Sequence, residues 1–380
     1  MSDPQRTVQA LIDDMTATGA ERGLQVAAYL EGKLVVDAWS GVADRTSGES
    51  VTGDTLFTVF SSTKGLAATV IHLLADRGRL DYDDPIARHW PEFGAAGKGR
   101  VTIRQALAHL AGIPQMPDGL LAEDLADWDK MSGAIAALPP LWEPGTRTGY
   151  HALTYGWIVG ELARRVDGRP IAQIVAEEIC RPLRMEDLYF GIPDAVEGRV
   201  ARLENGPAPT VQRPASALMN RAIPPDLGNF PRVFNRPEIR RASIPGAGGI
   251  MSARALARHY AALTSEVEGI RLLSEERVRI ASTPQTGEMD LVLDEPRRKG
   301  LGYFLGGPLF PMGDRITVFG HTGAGGSIGF ADPEHRFAFA LTKNRLVWDS
   351  PPGETTADRV ARAVRAALGI PESAGGIASS

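Results

Sequence analysis

The sequence predicts an α/β fold (of the α+β kind) in which one layered core is built from both ends of the chain, with a long, mostly helical insertion between them. Three observations point there. Strand-like segments appear near the start and return only after residue 300. Between about Asp81 and Ala242, helical periodicity alternates with long loops containing Pro and Gly. A last amphipathic helix then closes the chain, so elements from the two ends share a layer.

Val8, Leu11, Ile12 and Met15 mark an opening amphipathic helix. Leu24 to Leu30 and Leu34 to Trp39 flank Glu31-Gly32-Lys33, which reads as a β-hairpin. After the apolar lead-in Thr58-Val59-Phe60, Leu66, Val70, Leu73 and Leu74 recur at helical spacing until Gly78 stops the run. In the insertion, helices are expected over Ile103 to Ala111, Ala152 to Val166 and Ile171 to Cys180. Gly206 to Arg241 reads as irregular, with Pro at 207, 209, 214, 224, 225, 231 and 237. A loop that long inside a compact domain usually lines or covers a site. Strands are expected at Leu301 to Leu305, Arg315 to Phe319 and Phe337 to Lys343, and Val360, Val364 and Leu368 mark the closing helix. The implied division is residues 1–85 with 243–370 as the α/β domain, 86–242 as a helical domain with pocket-lining loops, and 371–380 as a loose tail.

A chain of 380 residues can bury an ample core in one large domain or two. Its 43% apolar and 23% charged residues are ordinary for a soluble globular protein. A net charge of −5 gives no basic footprint for nucleic acid. Cys180 is the only cysteine, which excludes a disulfide framework and a thiolate metal cluster. Residues 1–15 hold no apolar run resembling a signal peptide, and no stretch approaches membrane-spanning length, so a cytoplasmic location is expected.

Three stretches carry chemistry. In Ser61-Ser62-Thr63-Lys64, residues 61 and 64 lie one turn apart if the helix begins near Ser62. Ser61 then sits where unpaired N–H groups and the positive dipole end favour developing negative charge. A hydroxyl is a poor nucleophile until a base takes its proton, and a lysine does so when its surroundings lower its pKa. The alternative is a helix N-cap beside a solvated cation, and a cation in the first turn opposes the helix dipole. The second stretch is Tyr150-His151-Ala152, after Trp142-Glu143-Pro144-Gly145 and just before a helix. A Tyr at a helix start can exchange protons, and its phenol ionises more easily beside a cation. The third is His321-Thr322-Gly323-Ala324-Gly325-Gly326, between two apolar strands. A Gly-rich strand edge allows close backbone approach, with N–H groups free for a ligand oxygen.

Together these stretches resemble the serine β-lactamase and penicillin-binding-protein superfamily, specifically class C β-lactamases and the family VIII carboxylesterases. The resemblance runs from about Val26 to Leu368. It includes Val101 to His109 with Gly112, Ile179 to Met185, and Pro245-Gly246-Ala247-Gly248-Gly249. It implies an antiparallel sheet flanked by helices, a helical domain beside it, and an active site between. On that resemblance Ser61 is the acylated nucleophile, Lys64 its activating partner, and Tyr150 the proton-exchanging tyrosine. The N–H groups of Ser61 and Ala324 form the oxyanion hole, and His321, Thr322 and Gly323 contact substrate. Either Lys64 or Tyr150 can be the formal base, as a coupled pair.

Two departures matter. Ala152 stands where β-lactamases usually place Asn, and His321 where the superfamily often has Lys, so positive charge there is only partial near neutrality. Both favour neutral esters over β-lactams. Gly325-Gly326-Ser327-Ile328-Gly329 matches the Gly-x-Ser-x-Gly pattern of α/β-hydrolases. A strand is expected after it, however, and His335 is the only later histidine, so the match is compositional. His109, His151 and His259 read as structural, Cys180 as an inert buried thiol, and Tyr155 as a packed side chain.

The expected function is therefore a carboxylesterase-type serine hydrolase acting on small-molecule esters of small acyl groups. No metal or organic cofactor and no nucleic-acid or membrane partner is expected. An acyltransferase on the same scaffold is the alternative, then a β-lactamase or DD-peptidase, then a non-catalytic binding protein.

Overall fold

Strand β1 (Gly23–Leu30) is buried almost throughout and lies near the middle of a seven-stranded antiparallel sheet. A computed structural model of the chain describes residues 3–207, 216–308, 310–348, 351 and 353–371. β1 pairs on one side with β2 (Lys33–Asp44) and on the other with the strand Phe337–Lys343. Beyond β2 comes β3 (Glu49–Ser50); beyond Phe337–Lys343 come Ile328–Asp332, Phe319–Thr322 and Phe304–Leu305. The sheet is thus closed from both chain ends. Glu31 and Gly32, both at positive φ (52° and 78°), make the tight turn of the expected hairpin. Two left-handed residues match the twist of paired strands.

Alternation along β1 sends side chains to two layers. Leu24, Val26 and Ala28 meet Val8, Ile12 and Met15 of helix α1 (Pro4–Ala17), with Val360 and Val364 of the closing helix Thr356–Leu368. Ala27 and Tyr29 face the other way, toward Leu256 and Tyr260 of the helix Ala253–Thr264. Below that layer runs helix α2 (Thr63–Asp76), buried from Thr63 to Ala75. A helix apolar all round is one packed on every side. Its neighbours include the helix Thr154–Asp167 of the insertion, and one apolar cluster continues from α2 through that helix to Tyr260.

Some expected elements are shorter or displaced. The helix from Ile103 ends at Leu107, because His109 turns the chain at φ 61°. The stretch from Ile171 is α-helical only to Ile174 and widens to a π-helical turn over Val175–Cys180. The strand expected at Arg315 to Phe319 begins only at Phe319 and runs to Thr322. Arg315 is instead committed to an ion pair with Asp332 at 3.2 Å. Of Leu301 to Leu305, only Phe304–Leu305 pairs.

The expectation of irregular chain over Gly206 to Arg241 needs correction within the described part. Short helices span Ala217–Ala222, Pro225–Gly228, Phe230–Phe234 and Pro237–Arg241. Pro225, Pro231 and Pro237 occupy first-turn positions, where a fixed φ and a missing N–H cost nothing. Pro209, Pro214 and nearly all of the expected tail lie outside the described residues. Among the described residues no helix is long and apolar enough to cross a membrane.

Candidate active site

The chain enters the site through a small sheet. Phe57–Thr58 pairs with Gly249–Met251, which also pairs with Leu188–Phe190. Phe60 follows at φ 48°, an uncommon conformation for a residue with a Cβ. A single tight turn, Phe60–Ser62, then delivers the chain into α2. Ser61 remains partly exposed on that turn, whereas Lys64 is wholly buried.

Lys64 Nζ lies 2.9 Å from Ser61 Oγ, 2.7 Å from the Ala152 carbonyl oxygen and 2.6 Å from that of Gly246. The Gly246 carbonyl is set by close backbone packing, since a Cβ on Gly156 would come within 2.1 Å of Gly246 N. Burial alone drives the Lys64 pKa well below the ordinary lysine value. In its neutral form the amine has two N–H groups and one lone pair; the two carbonyls can only accept, so they then take both N–H groups, and the lone pair is left for the Ser61 hydroxyl.

Tyr150 faces the same hydroxyl. Its ring centre is 5.0 Å from Lys64 Nζ. Burial pushes the phenol pKa upward, the nearby Ser61 hydroxyl opposes this, and the charge of Asp290 adds to the rise. Desolvation therefore outweighs the ease of ionisation expected beside a cation, and the resting group is a phenol. Tyr155 is also buried, but its hydroxyl lies against Gly302.

The Gly-rich stretch closes over the Phe60–Ser62 turn. Ser62 Oγ donates to the His321 carbonyl at 3.1 Å. A Cβ at Gly323 would sit 2.1 Å from Val59 O, so only glycine permits this approach. No hydrogen bond to another described group occupies the N–H of Ser61 or of Ala324. His321 itself is 1% exposed and stacks on Phe304 at 4.2 Å. Its Nδ1 donates to the Thr322 carbonyl at 2.7 Å, leaving Nε2 without a partner among the described residues. Burial lowers its pKa well below the usual histidine value, so the ring is neutral rather than partly charged. Thr322 lines a cleft of about 730 Å³ with Arg297, Phe310 and Ser327.

Phe60 is also one contact of the 217–241 segment. Its ring centre is 5.2 Å from those of Phe230 and Phe234, and Phe230 lies 5.7 Å from half-exposed Trp348. Ser327 is 1% exposed and is followed by the strand Ile328–Asp332, without the helix its motif would need. Cys180 is buried, its thiol pushed up to about 12 by desolvation. His259 bonds Thr69 at 2.9 Å.

Sequence reasoning missed the support of the tyrosine. His109 Nδ1 accepts from His151 N at 3.0 Å, and His151 Nε2 accepts from Ile113 N at 3.1 Å. From the other side, Asp290 Oδ1 accepts from Tyr150 N at 3.0 Å, and Lys299 is ion-paired to Asp290 at 2.6 Å. The His109–His151 link falls between two of the quoted motifs. A single Asp 140 residues away carries no pattern to find.

The comparisons with known proteins agree with this architecture. The sequence pattern of the β-lactamase family matches residues 8–363. An esterase/β-lactamase of Mycobacterium tuberculosis, LipL, is 39% identical over 338 residues, covering 86% of this chain and 77% of that protein. The crystal structure of a family VIII carboxylesterase superposes with a TM-score of 0.87 at 33% identity, over 96% of this chain and 98% of its own. A penicillin-binding-protein homologue from Caulobacter crescentus superposes at 0.86 with 36% identity, over 97% and 98%.

Proposed function

Because the chain belongs to the β-lactamase family of serine hydrolases, we propose that it cleaves carboxylic esters of small acyl groups through a covalent acyl-enzyme on Ser61. The observation that carries this reading is the buried Lys64 amine, 2.9 Å from the Ser61 hydroxyl, with two carbonyl oxygens placed to hold its N–H groups so that the neutral form turns its lone pair to Ser61.

Lys64 takes the Ser61 proton as Oγ attacks the ester carbonyl carbon. The carbonyl oxygen becomes an oxyanion between the N–H groups of Ser61 and Ala324. As the intermediate collapses, the carbon–alkoxide bond breaks, and the departing oxygen takes the Tyr150 proton. The Lys64 ammonium then restores the phenol. Water attacks the acyl-enzyme by the same steps in reverse order, giving the acid and free Ser61.

Neutral His321 and the methyl group of Ala152 offer neither a cation nor an amide to a β-lactam substrate, which supports an ester preference. Nitrophenyl esters of graded acyl length, run beside a chromogenic cephalosporin and with alcohol acceptors present, test the reading. Fastest turnover of short acyl esters, with free acid as the main product, is expected. Cephalosporin turnover rivalling ester cleavage, or acyl transfer dominating over acid release, would overturn it.

A further inference from the structure

We propose that the buried Asp290–Lys299 ion pair is a positioning device for Tyr150, holding its backbone so that the phenol meets Ser61. The inference rests on the role of Tyr150 proposed above. Both charged side chains are 0% exposed, and neither touches Ser61. A buried pair is weak evidence for stability, because desolvating two ions offsets their attraction. Its use must therefore be sought in the geometry it fixes.

That geometry centres on residues 148–150. Asp290 Oδ1 accepts three backbone N–H groups, from Tyr150 at 3.0 Å, Val292 at 2.9 Å and Leu293 at 2.9 Å. Its Oδ2 takes Lys299 Nζ at 2.6 Å, and the same Nζ donates to Thr148 Oγ1 at 2.6 Å. Leu291 N adds a bond to the Thr148 carbonyl at 3.0 Å. The two ions thus clamp the strip two residues apart, at Thr148 and at Tyr150. Opposite them, His109 receives His151 N, and its carbonyl accepts Gly149 N at 3.2 Å. Tyr150 has no helix of its own to fix it, since the following helix begins only at Thr154.

The groups facing the Tyr150 side chain come from several elements. They are Ser61 and Lys64 of the nucleophile turn and α2, His109 of the preceding loop, Tyr155 of the helix Thr154–Asp167, His321 of the sheet, and Asp290 with Arg297 of the 290–297 segment. Of these, Asp290 disfavours the phenolate and Arg297 favours it.

The test is the double variant Asp290→Asn/Lys299→Met, which removes both charges together while an amide oxygen remains for the three N–H groups. The expected result is a folded protein with kcat lowered about tenfold or more and KM within about twofold. A folded variant with wild-type kcat would overturn the proposal. If the double variant does not fold, Thr148→Val decides, because it removes only one anchor oxygen. A kcat loss of about threefold or more at unchanged melting temperature supports the clamp, and an unchanged kcat refutes it. Tyr150→Phe separates this inference from the reading beneath it. If that variant keeps full activity the catalytic role of Tyr150 is wrong; if it is inactive while the clamp variants are not, only the clamp is wrong.

Discussion

The hydroxyl of Ser62 donates to the carbonyl of His321 at 3.1 Å across 259 residues of sequence, fastening the Phe60–Ser62 turn to the Gly-rich strand edge. Both N–H groups of the proposed oxyanion hole flank this one bond. Ser62→Ala is expected to lower kcat about tenfold with little change in KM, because the hole acts on the transition state and not on bound ester. Steady-state kinetics on a nitrophenyl ester checks it.

Lys64→Met tests the base. Removing a group that transfers a proton in the transition state should cost about 10²- to 10⁴-fold in kcat/KM. Met replaces a buried, neutral chain of similar length, so the fold should survive, although the carbonyls of Ala152 and Gly246 lose a donor. Circular dichroism melts alongside the kinetics separate loss of chemistry from loss of structure.

The pH dependence has a fixed sign. On the proposed mechanism activity needs the Lys64 amine neutral and the Tyr150 phenol protonated, so the rate should fall at low pH as Lys64 is protonated and at high pH as Tyr150 ionises. Burial spreads these limits apart, giving a broad plateau. Between the lowered folded pKa of Lys64 and the ordinary value of 10.5, the unfolded chain binds the extra proton, so stability rises with pH across that window. Lys64→Met should remove that slope. His321→Gln should leave the acid limb in place, because a ring already neutral does not set it.

Gly323→Ala places a methyl group where Val59 O already sits, at 2.1 Å. The strand edge must move away from the Phe60–Ser62 turn, at a cost of about 1–3 kcal/mol in stability and a larger relative loss of kcat. Ser327→Ala is the contrasting control: that hydroxyl accepts only a long bond from Lys343 N at 3.4 Å, so kcat should stay within about twofold of wild type.

Local patterns made much of this protein readable from its sequence. Val8, Ile12 and Met15 at helical spacing, and Glu31-Gly32 between alternating apolar runs, specify their elements without distant help. Ser61 and Lys64 sit one turn apart for the same reason. Arg315 to Phe319 misled because a strand-like pattern there competes with an ion pair to Asp332, which sequence does not display. The prolines from 224 to 237 looked like breakers, yet they open helical turns, a distinction that depends on position within a turn. The charge state of His321 depends on how deeply the sheet buries it, and the support of Tyr150 by Asp290 and Lys299 exists only once residues far apart in the chain are brought together.

The most direct measurement is intact-mass spectrometry of the protein quenched in acid within its first turnovers of a short-chain nitrophenyl ester, followed by peptide mapping. The account predicts a gain equal to the acyl group, on the peptide bearing Ser61, and no gain in Ser61→Ala. Ester turnover without any adduct, or an adduct on a different residue, would contradict it.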